Sequence, residues 1–160
     1  MNGKIRFAVD YLNVMFEMNA RARQGIDPTA YAATLMFLVE WGLTTEEINS
    51  ANNIFWEQID RQTLEELRVV VPRITQALKD REDDKKRLLT QLAAIADFDS
   101  DITEDEANYL RSFGELLDLR PSEINALFER GSHLAFGLRY FGSQYMANNK
   151  PKQSVIRPLK

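Results

Sequence analysis

Three times in this 160-residue chain a threonine is followed three positions later by a glutamate, and then by apolar residues at helical spacing. The pairs are Thr44 with Glu47, Thr63 with Glu66, and Thr103 with Glu106. In such a pair the hydroxyl accepts from the glutamate's backbone N–H and the carboxylate accepts from the threonine's, so two donors that a helix start leaves unmet are satisfied together. A chain that repeats this device is committed to a series of short helices with defined starts. No competing pattern is present: no Asn-Gly or Asp-Gly turn stands between alternating runs, and no run sustains the apolar–polar alternation of a strand.

Around these caps the apolar residues recur every three and four positions, the signature of helices that bury one face. Ile5, Ala8, Val9, Leu12, Met15 and Phe16 mark a first helix ending near Gly25. Asp27 and Pro28 read as N-cap and first helical position of a second. That helix, to about Trp41, carries Tyr31, Leu35, Met36, Phe37, Leu38 and Val39 with hardly a charge before Glu40. It is expected to be apolar nearly all round and to lie at the centre of the fold.

Ile48, Ala51, Phe55 and Ile59 follow the first Thr-Glu pair. Leu64, Leu67, Val71, Ile74 and Leu78 follow the second across Pro72, which should kink or split that helix. Asp83 to Ala96 opens on charges and then buries Leu88, Leu89, Leu92 and Ile95; Ala107, Leu110, Phe113 and Leu117 make a sixth helix. Ser122 is placed to cap a last one, with the stripe Ile124, Leu127, Leu134, Leu138, Phe141 and Tyr145. Gly131, Gly137 and Gly142 within it imply close helix contacts or local breaks. The expectation is an all-α fold: one compact bundle of about seven helices over residues 1–148, then a flexible basic tail over 149–160 carrying Lys150, Lys152, Arg157 and Lys160.

The net charge of −4 argues against nucleic acid as a partner, because phosphate recognition needs a concentrated basic face. The longest apolar stretch, Tyr31 to Val39, is too short to cross a bilayer, and the first residues lack the charged-then-apolar order of a signal peptide, so a cytoplasmic protein is expected. With no cysteine and His133 as the sole histidine, the usual zinc ligand sets, a Cys-His dyad and the paired Glu-x-x-His motifs of diiron bundles are all excluded. Carboxylates remain, and they select a hard cation: calcium, magnesium or manganese. No enzyme activity is expected.

A quarter of the 24 acidic residues gather in one stretch. Asp97-Phe98-Asp99-Ser100-Asp101-Ile102-Thr103-Glu104-Asp105-Glu106 holds six acids in ten residues with no basic side chain between them. Charges that dense must be relieved by water, a helix N-terminus, a distant cation or a metal ion. An EF-hand begun at Asp97 would need Gly where Ile102 stands and Glu where Asn108 stands, so it is not an EF-hand. Two explanations stay open. Asp99 and Glu106, with Asp97 or Asp101, converge on a divalent ion; or Glu106 closes the capping box while Glu104 and Asp105 favour the positive end of the helix dipole, and no ion is involved.

The same segment resembles the TerB-like tellurite-resistance family, whose members carry an apolar helix ending in Ala-x-x-Asp-Gly, an apolar residue, and acids leading to Glu before a further helix. Leu92 to Ser100 is similar to the first part, with Asp99 at the Asp and Ser100 at the Gly; Ile102 and Glu106 match the rest. The family repeats this unit, and Leu35 to Phe55 is similar in layout to Leu92 to Phe113, with Gly42, Leu43, Thr44 and Glu47 in the first copy. Trp41 stands where that copy's Asp would be, with Glu40 just before it, so a half-degraded first site is expected, completed only if Glu40 substitutes. The resemblance covers Tyr31 to Leu127. It implies a helical domain with two pseudo-repeated helix–acidic loop–helix units, in which Asp99, Glu106, Asp97, Asp101, Glu47 and Glu40 are candidate metal ligands. It further implies a link to resistance to tellurite and other stresses, with membrane-associated partners in some members and no known catalytic reaction.

His133, amid Leu134, Ala135 and Phe136, reads as structural, and Trp41, Phe55, Trp56, Phe136, Tyr140, Phe141 and Tyr145 read as core. Asp83-Asp84-Lys85-Lys86-Arg87 reads as a solvated first turn whose three cations are available to an acidic partner or an anionic membrane surface. The function expected is therefore a non-catalytic stress-response domain holding a divalent cation or a protein partner at the acidic loop. The alternative is a helical protein–protein or membrane-surface adaptor, acting through its last helix and tail without a metal. The partner's identity stays open, a second copy of the chain included.

Overall fold

The computed structural model describes residues 1–22, 28–97 and 102–148, and the side chains of these except 19–22, 29 and 138–148. Among the described residues there are seven helices and no strand: α1 (Gly3–Ala22), α2 (Pro28–Glu40), α3 (Thr45–Asp60), α4 (Leu67–Ala77), α5 (Glu82–Ala96), α6 (Glu104–Leu116) and α7 (Pro121–Asn148). Gly25 and Asp27, expected to end α1 and cap α2, and the tail 149–160 lie outside the described residues.

The centre of the fold is not α2. Its largely apolar sequence leaves Met36 58% and Val39 60% exposed, because one face of a helix suffices for packing and its neighbours bury Ala30, Tyr31, Ala33, Thr34, Phe37 and Leu38. The helix that touches most others is α1, which packs on α2, α3, α4, α5 and α6 and buries Ala8, Val9, Tyr11, Leu12 and Met15. The second half of α5 is buried on every side from Gln91 to Ala96. Against it runs α7 in the same sense, with Glu123 beside Lys86 at 3.4 Å and Gly131 beside Ala93 and Ala94. A Cβ on Gly131 would sit 2.6 Å from that of Ala93, so this glycine sets how closely the two helices approach. The glycine reading of close contact holds here, and α7 continues unbroken to Asn148.

The Thr63–Glu66 cap does not form. Gln62 turns the chain with φ 57°, and Thr63 N–H closes back onto the Gln58 carbonyl at 2.8 Å, so Thr63 ends α3 and starts nothing. Glu66 is itself the backbone cap of α4 and makes no side-chain cap bond. The neighbouring Glu65 is held by long-range partners: Arg73 Nη1 donates to it at 2.9 Å, Arg6 Nη1 at 3.0 Å, and Asn13 donates to its carbonyl at 2.9 Å. Arg73 also grips buried Asp10 with both Nε (3.1 Å) and Nη2 (2.8 Å), fixing α4 on α1. Pro72 does not split α4, which runs through it from Leu67 to Ala77. At the far end α7 begins at Pro121, so Arg120 holds the cap position and Ser122, expected there, lies inside the helix two positions further on.

Candidate functional site

The acidic stretch joins α5 to α6. Asp97 is the C-cap of α5, 7% exposed, with its N–H on the Ala93 carbonyl at 3.0 Å. Thr103 then starts α6 with a complete capping box: Glu106 N–H donates to Thr103 Oγ1 at 3.1 Å, and Thr103 N–H donates to Glu106 Oε1 at 3.1 Å. Glu104 and Asp105 occupy the exposed first turn, where the helix dipole favours them. Capping thus accounts for three of the six acids, as the local spacing implied.

It does not account for all of Glu106. This side chain is 2% exposed, and its second oxygen, Oε2, is buried with no hydrogen-bond partner among the described residues. A surface cap needs no such burial, and an unsatisfied buried carboxylate oxygen costs free energy on the order of 1–3 kcal/mol or more. Asp99 and Asp101 lie outside the described residues. Among the described residues no three acidic or histidine side chains gather closely enough to hold a metal ion, so Asp97 and Glu106 are the only members of the expected loop set whose positions are described.

The corresponding stretch between α2 and α3 is built differently. Gly42 turns the chain with φ 82°, and Thr44 and Glu47 form the second complete capping box, at 3.0 and 3.1 Å. Glu47 is partly exposed, and its Oε2 accepts from Asn2 Nδ2 at 3.4 Å. The Thr44 backbone N–H, foremost, draws its carboxyl below the usual range.

Glu40 is committed elsewhere. Gln91 Nε2 donates to its Oε2 at 2.9 Å, and Gln91 Oε1 accepts from Trp41 Nε1 at 2.8 Å and Tyr11 Oη at 2.9 Å. Burial, with the Glu40 charge second, holds the Tyr11 phenol well above its ordinary range, so it serves this knot as a donor. The indole of Trp41 thus fills a hydrogen-bonded place between α1, α2 and α5. Sequence reasoning missed Gln91, a lone amide in an apolar run; its only signal was being a polar residue on a face otherwise made of leucine and alanine.

The cations of the Asp83–Arg87 run diverge. Lys85 is buried and donates to Glu82 at 3.0 Å; Lys86 faces Glu123; Arg87 stacks 5.1 Å over Trp41 and donates to the Glu40 carbonyl at 3.2 Å. The three do not share one face, since Lys85 is buried, whereas Lys86 and Arg87 line one hollow together with Arg130. Of the aromatics read as core, Phe55 and Trp56 are buried, whereas Phe136 is 71% exposed. Among the described residues no helix is long and apolar enough to cross a membrane.

Compared with known proteins, residues 15–128 match the family model described as Tellurite resistance protein TerB. That span runs from the middle of α1 into α7 and contains both capping boxes. No curated protein and no solved structure matches the chain.

Proposed function

The chain belongs to the tellurite resistance protein TerB family, and from that premise we propose a non-catalytic stress-response domain that takes a hard divalent cation at the α5–α6 loop. The observation that carries this reading is the buried Oε2 of Glu106, unpartnered among the described residues. A divalent ion beside it would supply the missing partner, and carboxylates from one short loop are the donor set that calcium, magnesium or manganese accepts. Asp97 is the described neighbour along the chain, and Asp99 and Asp101 complete the proposed set. Glu47 and Glu40 are left out of it, since the first is a surface cap and the second is bonded to Gln91.

The test is thermal unfolding of chelator-treated protein with and without each ion. At a free concentration a hundred times the dissociation constant the ion adds about 2.7 kcal/mol, a rise in Tm of roughly 5 to 10 °C for a domain this size. The rise should vanish in Glu106→Gln and persist in Glu47→Gln. No rise for any of the three ions at millimolar concentration overturns the reading.

A second reading, a metal-free adaptor acting through α7, is favoured by Phe136, a large apolar ring left 71% exposed on that helix. Analytical ultracentrifugation and vesicle co-sedimentation of wild type and Phe136→Ser decide it. Self-association or vesicle binding that the substitution abolishes supports the adaptor; identical behaviour of the two proteins removes it.

A further inference from the structure

We propose that the cleft between the start of α1, the α2–α3 turn and the end of α4 binds a small amphiphilic anion, an apolar chain or ring carrying one carboxylate. The cleft encloses about 650 Å³, within the range of roughly 300–1,000 Å³ usual for small-molecule sites. It is remote in sequence from the acidic loop, and the cation reading does not bear on it.

Its walls are apolar and fixed in advance. Leu43 and Leu78 are buried at its base, and the Phe7 and Trp41 rings meet at 4.9 Å along one side. Trp41 has little freedom to move, with its indole N–H on Gln91 and Arg87 over its ring. A preformed wall of this kind lets a ligand bury apolar surface without ordering the protein first.

Two cations line the same cleft. Lys4 donates to the Gly42 carbonyl at 3.2 Å and has no ion pair among the described residues; Arg81 is 60% exposed and shares Asp84 with Arg87. The one acid in the lining, Glu47, accepts from Thr44 and Asn2 and lies within electrostatic reach of Lys4, so the lining carries two cations against one anion. A carboxylate therefore finds two donors with capacity to spare, while an ammonium would meet them as like charges. The apolar groove between α4 and α6, about 380 Å³, has Arg68 as its only charged lining residue and offers no such pair.

The test titrates sodium decanoate, kept below its micellar concentration, into ¹⁵N-labelled full-length chain, following the Gly42 amide and the Trp41 and Trp56 indole resonances. Saturable shifts at Gly42 and Trp41, with Trp56 unmoved and a Kd below about 1 mM, are expected. Replacing both donors by Lys4→Gln and Arg81→Gln should weaken binding at least about tenfold with the Tm unchanged, since hydrogen bonds to a charged group are worth about 1.5–3 kcal/mol. Should the double variant lose stability, Arg81→Gln alone serves, with a weakening of about threefold or more. Decylammonium should not compete. The proposal is overturned by the absence of saturable shifts, by shifts confined to Tyr109 and Leu116 in the α4–α6 groove, by equal binding of decylammonium, or by affinity that the substitutions leave unchanged.

Discussion

Thr44 starts α3 with φ −75° and ψ 162°, and Thr103 starts α6 with φ −69° and ψ 161°; each closes the same reciprocal pair of hydrogen bonds with a glutamate three residues on. Beyond the cap the two glutamates part. The spare oxygen of Glu47 meets Asn2 at the surface, while that of Glu106 is buried with no partner among the described residues. One local sequence pattern thus builds identical backbone and opposite electrostatics, because the cap is decided within four residues and the burial by what packs around it. Capping accounts for Glu47 completely and for Glu106 by half.

The largest separation between the two should appear in the cation titration above, where Glu106→Gln abolishes a stabilisation that Glu47→Gln keeps. Next in size is the behaviour in chelator. There Glu106→Gln, which removes a buried charge and keeps an acceptor for Thr103, should raise stability by about 1–2 kcal/mol, whereas Glu47→Gln should lower it only slightly in urea unfolding. If the two variants behave alike, the buried oxygen is satisfied in solution and the contrast collapses.

Smaller still, Thr44→Ala and Thr103→Ala should each cost about 1 kcal/mol, the value of an N-cap hydroxyl. A Thr103 cost several times that of Thr44 would mean that its hydroxyl supports more than the helix start. The smallest effect is the pH response of the surface cap. The Glu47 carboxyl is lowered from 4.5 in the folded chain, so its contribution is present above that value and is lost as pH falls through the lower folded one. Glu65 is lowered in the same sense, first by its bond from Arg73, and Asp10 is shifted the other way, chiefly by burial. Wild type should therefore lose slightly more stability than Glu47→Gln between pH 5 and pH 3, and a carboxyl ¹³C titration of Glu47 with its midpoint at or above 4.5 would contradict this.

How far the sequence was legible follows the same division. Helix periods and the Thr44 and Thr103 boxes depend on neighbours within a turn, and they were read correctly. The Thr63–Glu66 box satisfied the same rule and failed, because Arg73 and Arg6 hold Glu65 from other helices and Gln62 turns the chain first. Met36, Val39 and Phe136 share the apolar character of core residues, yet stand exposed where no helix covers them. The candidate site divides likewise. Its acids were visible as a cluster, but the burial that distinguishes Glu106 from Glu47 depends on packing, and so does the Gln91 knot that occupies Glu40.

The central place of α1 also has a consequence in time. On the ribosome α1 is made roughly a hundred residues before α6, and at about 5–20 residues per second its apolar face waits several seconds for the last of the five helices that cover it. The delay is shorter for α5, whose later partners α6 and α7 follow directly after it in the chain, and α6 and α7 pack on helices already made. The nascent chain therefore carries part of the apolar face of α1 uncovered after α3 and α4 have packed on it, the kind of surface that chaperones hold, until α5 and α6 close over the rest.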